Sequence, residues 1–199
     1  METFQRVLDP EDSTVGGGSA SAIAGAMAGA LLSMVARLSR PTSDAPAADA
    51  AFLDALAEGS LTLSRELGTG SSEDAGAFGS VRDAYRLPRG TPAEKEARGH
   101  ALRDAWAHAA KVPLENARRC LKLGELCVEA AGAVNPKVRS DFVCAALLAR
   151  AGLLGCLENV EINLPSLADD RLAGELAEEA RALRRRGEAV AVSLGLPAA

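Results

Sequence analysis

Aromatic side chains are scarce in this chain. Phe, Trp and Tyr make up 3% of its 199 residues, with a single Trp and a single Tyr. A core built without rings relies on Ala, Leu and Val, and such small side chains let helices approach closely. Histidine is nearly absent too: His100 and His108 are the only two. Eight apart on a helix, they fall near one face, and surface or core roles fit them better than metal binding. Four cysteines are present, Cys120, Cys127, Cys144 and Cys156. None is in a C-x-x-C pair, so zinc-ribbon and redox motifs are excluded. Buried thiols in a reducing cytoplasm are expected. Positive charge is also short, with a formal net charge of -5, which gives no general reason to bind nucleic acid or an anionic membrane. The N-terminus lacks a basic region with an apolar segment behind it, so no secretion signal is expected.

One long uncharged stretch runs from Ser13 to Ala36, "STVGGGSASAIAGAMAGALLSMVA". Its length suits a membrane span, but Gly, Ser and Thr leave it weakly apolar, and no second span is expected. A helix that is small or apolar all round also fits the centre of a soluble bundle. Gly16, Gly17 and Gly18 read as a loop, Ser19 as an N-cap, and Ala20 to Arg37 as a helix. A glycine loop feeding a helix N-terminus offers free N–H groups to an anion. No Gly-Lys-Ser/Thr comes after it, so it is not a P-loop, and no strand precedes it, so it is not a dinucleotide fingerprint. A tight packing turn and a ligand loop both remain open for it.

The rest of the chain shows no sustained period-two alternation and reads as helix. One segment covers Ala47 to Leu67, with "GTGSS" (Gly68 to Ser72) as an interruption and Ser71 or Ser72 as the next cap. The pattern resumes to Leu87. "PRGTP" is a turn, and Thr91 caps the next helix. Pro113 should kink or restart that helix, which runs on to about Ala131. "GAVNP" is a loop. A helix from Lys137 or Ser140 reaches Leu164 and stops at Pro165. The last, Ser166 to Leu194, is amphipathic, with Leu172, Leu176, Leu183, Val190 and Leu194 on its apolar side and Arg184 to Arg186 on a solvated face. The expected fold is all-α: one domain, residues 1–199, forming an up-and-down helical bundle with a central Gly/Ala-rich helix.

Four polar residues stand out. Asp74 lies in "SEDAGAF", Asp141 at the mouth of the apolar helix "NPKVRSDFVCAALL", and Asn159 and Asn163 one turn apart in "NVEIN". The two aspartates also read as helix N-terminal carboxylates, and the asparagines as a packed polar contact. Asp141 and Asn159 are 18 residues apart, about 27 Å along a straight helix. They meet one small reacting centre only if the helix breaks, at Gly152 or Gly155. Otherwise they serve two ends of a long ligand or two subunits.

Taken in order, "GGGSASAIAGAMAGALLSMVARLS", "SEDAGAF", "AYRLPRGTPAEKEAR", "VPLENARRCLKLGEL", "NPKVRSDFVCAALL" and "NVEINL" resemble one family: the cyclodeaminase domain of formiminotransferase-cyclodeaminase and the stand-alone methenyltetrahydrofolate cyclohydrolases. The resemblance implies an all-helical cytoplasmic homodimer acting on a tetrahydrofolate derivative, with no metal or other cofactor and neither nucleic-acid nor membrane partners. It implies that Gly16, Gly17, Gly18 and Ser19 border the folate site. Asn135, Asn159 and Asn163 would bind substrate. Asp141, with Asp74 second, would carry the proton chemistry. Hydrolysis of 5,10-methenyltetrahydrofolate is the expected reaction, favoured over formiminotetrahydrofolate cyclodeamination because no formiminotransferase segment accompanies the chain. A non-folate ligand-binding protein of the same fold is the other reading. Two departures stand out. Val15 replaces the family's proline before the glycines, and "RPTSDAPAAD" replaces a lysine-rich stretch, leaving Arg37 and Arg40 as the nearest cations.

Overall fold

The structure, a computed structural model, describes residues 2–9, 11–12, 14–40 and 47–197. The middle of the "RPTSDAPAAD" segment, residues 41–46, lies outside the described residues. Six α-helices occur among them: α1 (Glu2–Val7), α2 (Gly17–Leu38), α3 (Ala47–Arg86), α4 (Pro92–Ala130), α5 (Arg139–Asn163) and α6 (Asp170–Ser193). Short 3-10 turns flank α5 at Pro136–Val138 and Leu164–Ser166.

Helices α2 to α5 run up and down around one core, and α6 lies against α4 and α5. The central position of α2 comes from its small residues. A Cβ at Gly29 would come within 2.7 Å of the Ser60 carbonyl oxygen, and one at Gly25 would collide with Cys120 Sγ. Ser64 Oγ donates to the Ala26 carbonyl at 2.7 Å. On the other side, Gly152 of α5 lies against the Ser21 carbonyl. Leu32, Val35 and Ala36 of α2, Leu123 of α4 and Leu157 of α5 are fully buried.

Several expected boundaries differ. "GTGSS" does not interrupt α3, which is continuous over 40 residues. Gly70 is needed there because the fully buried amide of Asn116 occupies the space of a Cβ, and Asn116 donates to the Gly70 carbonyl at 3.2 Å. Pro113 does not restart α4, which runs through it for 39 residues. A proline frees the carbonyl four residues earlier, here Ala109, and Asn163 of α5 donates Nδ2 to that oxygen at 2.9 Å. Ser19 is not the cap of α2. The helix starts at Gly17 with Gly16 before it and no side-chain cap. Thr91 does cap α4, in a full capping box with Glu94. Asp169, rather than Ser166, starts α6.

The arginine run is not merely solvated. Arg184 bridges to Glu158 and Glu161 of α5, and Arg186 to Glu125 of α4. These pairs hold the amphipathic helix in register, though exposed pairs contribute little each. Cys120, Cys127 and Cys156 are buried, whereas Cys144 is exposed, and all four are unpaired. Burial pushes the Cys127 thiol up to about 12, so it stays protonated. A second stretch besides Gly17–Leu38, Pro136–Ser166, is long and apolar enough to cross a membrane, contrary to expectation. About half of an 18-residue apolar window in each is packed inside the protein, 50% and 44%, as in core helices.

Helices α3 and α4 continue past the start of α2 as a two-helix arm. Ala77, Val81 and Ala84 of α3 pack on Ala105, Ala109 and Val112 of α4 in a separate small core. The angle between this arm and the bundle end is where the polar residues gather.

Candidate functional site

The N-terminal turn of α2 faces the middle of α3. Asp74 is deep inside a continuous helix and so is not an N-terminal carboxylate of its own helix. Its carboxylate instead sits over the first turn of α2. Ser19 Oγ donates to Asp74 Oδ2 at 2.8 Å, and the Ser19 backbone N–H also donates to the carboxylate. Ser19 is fully buried. Its carbonyl accepts from Ser71, also buried, at 3.1 Å. The glycines permit this approach. A Cβ at Gly18 would stand 2.5 Å from Asp74 Oδ1 and 2.6 Å from Oδ2, while Gly16 has no atom within 4 Å of such a position. The triple glycine is therefore both a packing turn and the floor of a polar site. Val15, in the place of the family's proline, is buried and anchors the chain just before it.

Burial pushes the Asp74 carboxyl above its ordinary value of 3.8, and the two Ser19 hydrogen bonds pull it back only in part. The result is a carboxyl that both accepts and returns a proton more readily near neutrality than an exposed one.

Asp74 borders an open cavity of about 320 Å³, at the lower end of the range for small-ligand sites. Thr14 and Gly16 to Gly18 form one wall. Phe78, one turn beyond Asp74 on α3, and Trp106 and Ala109 of α4 form another. Asn159, Ile162 and Asn163 close it from α5. Asn159 Nδ2 donates to the Gly155 carbonyl at 2.8 Å, and Asn163 Nδ2 to Ala109. Both amide nitrogens are thus held by the protein, and both side-chain oxygens remain as acceptors. Among the described residues, no group of three His, Cys, Asp or Glu could hold a metal ion.

The sequence-predicted residues separate into two places. Gly16 to Ser19, Asp74, Asn159 and Asn163 meet at the cavity. Asp141 and Asn135 do not. Helix α5 is unbroken at Gly152 and Gly155, so Asp141, in its first turn, stays about 27 Å of helix away from Asn159. Asn135 works as a tie at that far end. It accepts from Lys137 N–H at 3.0 Å, and its Nδ2 donates to the Leu38 carbonyl at 3.1 Å. Arg37 and Arg40 are also at the far end, paired with Glu58 and Asp54. Phe78 and Trp106 were not anticipated. The available signals were the i+4 spacing of Phe78 from Asp74 and the isolation of the single Trp in a chain poor in rings.

The family model for formiminotransferase-cyclodeaminase matches residues 1–182. The chain belongs to the formiminotransferase-cyclodeaminase family. The match includes every residue of the cavity and leaves out only the C-terminal part of α6 and the few residues after that helix. A methenyltetrahydrofolate cyclohydrolase of Methylorubrum extorquens is 37% identical over 92% of this chain and 88% of its own length. The formimidoyltransferase-cyclodeaminase of Sus scrofa is 31% identical over 92% of this chain, which spans 34% of that longer protein. Among solved structures, the formiminotetrahydrofolate cyclodeaminase of Thermotoga maritima aligns with a TM-score of 0.78 at 26% identity, covering 90% of this chain and 85% of that one. The all-α bundle of this chain is thus the fold of its family.

Proposed function

We propose that this protein is a folate one-carbon enzyme that hydrolyses 5,10-methenyltetrahydrofolate to 10-formyltetrahydrofolate. The observation that carries the reading is a carboxyl of raised pKa, Asp74, fixed by Ser19 at the wall of the cavity bordered by the glycine turn. The methenyl carbon is an amidinium centre between N5 and N10. Ionised Asp74 stabilises that cation and takes a proton from the attacking water. The water oxygen bonds to the methenyl carbon. The carbon–N5 bond then breaks, and Asp74 returns its proton to N5. The oxygen ends in the formyl group, and the second water proton is released. The Asn159 and Asn163 side-chain oxygens accept from the N–H groups of the pterin. The chemistry as written uses water, one carboxyl and hydrogen-bond partners, without a metal or other cofactor.

Cyclodeamination of formiminotetrahydrofolate is the second reading, favoured by the names of the Sus scrofa and Thermotoga maritima relatives. There N10 attacks the formimino carbon and its proton passes to the imine nitrogen; protonated Asp74 gives that nitrogen a second proton, the carbon–nitrogen bond breaks, and ammonia leaves with the methenyl cation as product. The higher identity and mutual coverage of the cyclohydrolase relative favour hydrolysis. We read the chain as one domain, since a single core cluster draws on α2 through α6. Four free thiols support a cytoplasmic setting. The exposed Met27, Met34 and Leu147 on α2 and α5 support a homodimer.

The test is turnover. The near-ultraviolet absorbance of the methenyl form is followed with purified protein against buffer, and ammonia release from the formimino compound is measured beside it. Accelerated loss of the methenyl form without ammonia release supports hydrolysis. Ammonia release alone supports the second reading. Failure of both, with no folate binding by calorimetry, removes the folate reading.

A further inference from the structure

A proline inside a helix removes one N–H and pushes aside the carbonyl four residues back, so it costs stability unless something offsets it. Pro113 stands in such a place, fully buried within the 39-residue α4. What it leaves without a helical donor is the Ala109 carbonyl, at a buried residue of the cavity wall. Asn163 Nδ2 of α5 donates to that oxygen at 2.9 Å.

The consequence is directional. A carbonyl only accepts, so the Asn163 amide must turn its nitrogen to Ala109 and its oxygen away. Turned over, the amide would set two oxygens face to face and leave a buried carbonyl unpaired, which is costly. Asn159 lacks this lock. Its Nδ2 donates to the Gly155 carbonyl at 2.8 Å, but Gly155 lies inside the unbroken α5, where a carbonyl already accepts from the N–H four residues on. Of the two cavity asparagines, Asn163 is therefore the one whose acceptor the fold fixes in place.

We propose that Pro113 is a positioning residue: by freeing the Ala109 carbonyl it holds Asn163 as a hydrogen-bond acceptor towards the cavity, so the ligand group that meets Asn163 must be a donor. Pro113 does not itself line the cavity and acts through Asn163 alone. Its effect on turnover rests on the folate reading above; its effect on the Asn163 amide does not.

The test is Pro113→Ala, which restores the N–H and gives the Ala109 oxygen a helical donor whichever way Asn163 turns. The variant should keep the wild-type helix content by circular dichroism, since Ala favours a helix interior over Pro. The Asn163 side-chain amide protons, followed by NMR, should exchange with solvent about 10-fold faster than in the wild type, the loss of one hydrogen bond. For methenyltetrahydrofolate, KM should rise about 3- to 10-fold on the same ground, with kcat changing less. In an Asn163→Ala background the same substitution should leave KM unchanged, because the group it acts through is gone. Equal amide protection in wild type and Pro113→Ala, an equal KM change in both backgrounds, or loss of the fold, which would make the proline a packing residue, overturns the assignment and leaves the folate reading standing. A wild type that neither turns over nor binds methenyltetrahydrofolate overturns the folate reading, and amide exchange still decides the role of Pro113.

Discussion

Replacing Gly18 by Ala should separate activity from stability. A Cβ there meets Asp74 Oδ1 at 2.5 Å and Oδ2 at 2.6 Å, where ordinary contact begins at 3.4 Å. The carboxylate must retreat by about 0.9 Å. Its 2.8 Å bond from Ser19 Oγ would then stretch past the useful hydrogen-bond range. Losing a charge-assisted bond costs about 1.5–3 kcal/mol, and Ala regains up to about 1 kcal/mol over Gly in a helix. Net destabilisation should therefore be no more than about 3 kcal/mol. A misplacement near 1 Å of the group that carries the proton costs on the order of 100-fold in rate. Gly17→Ala meets Asn159 Nδ2 at 3.2 Å and Gly16→Ala meets nothing within 4 Å, so the kcat losses should rank Gly18 above Gly17 above Gly16. Thermal melting and methenyltetrahydrofolate turnover on the three variants check this. Wild-type kcat in Gly18→Ala, or equal loss in Gly16→Ala, would refute the placement of Asp74 over the turn.

Three further outcomes follow from Asp74 and from two contacts elsewhere in the bundle. Asp74→Asn should be more stable than the wild type at neutral pH. The folded-state carboxyl is raised above 3.8, so the wild type loses stability as pH rises through the folded value. The difference should vanish below pH 3.8, where the carboxyl is protonated in both states, and denaturant melts across pH measure it. Gly70→Ala forces a methyl into the buried Asn116 amide and should cost about 1–3 kcal/mol, read as a fall of several degrees in Tm. Arg184→Ala removes two exposed pairs and should cost less than about 1 kcal/mol, an effect that shrinks with added salt.

The helices were legible because their apolar residues recur at helical spacing and because strand-like alternation is missing. The central role of α2 was legible in its glycines and alanines. The errors fall where tertiary contacts overrode local rules. Gly68 and Gly70 look like a loop in sequence, but Gly70 is the point at which Asn116 crosses onto α3. Pro113 looks like a break, but the carbonyl it frees is taken by Asn163 of the next long helix. Ser19 looks like a cap, yet its hydroxyl turns to a carboxylate on another helix. Asp74, Asn159 and Asn163 stood out through their sequence context, and the fold gathers them at one cavity. Asp141 stood out through the same signal of a polar residue beside an apolar helix, but α5 runs unbroken and carries it to the opposite end. Trp106 was hidden because one ring on a helix face reads as core. Its place beside the cavity is set by the α3–α4 arm, which extends past the bundle and which no local pattern announces.

In the proposed hydrolysis of methenyltetrahydrofolate, Asp74, and no carboxylate at the far end of α5, carries the proton. The direct measurement is the pH dependence of kcat for the wild type, Asp74→Asn and Asp141→Asn, with helicity checked by circular dichroism. Asp74→Asn should fall at least about 1000-fold towards the buffer rate, while Asp141→Asn should keep kcat within about threefold and the wild-type pH profile. A fully active Asp74→Asn protein, or a well-folded Asp141→Asn protein without activity, would contradict that role of Asp74.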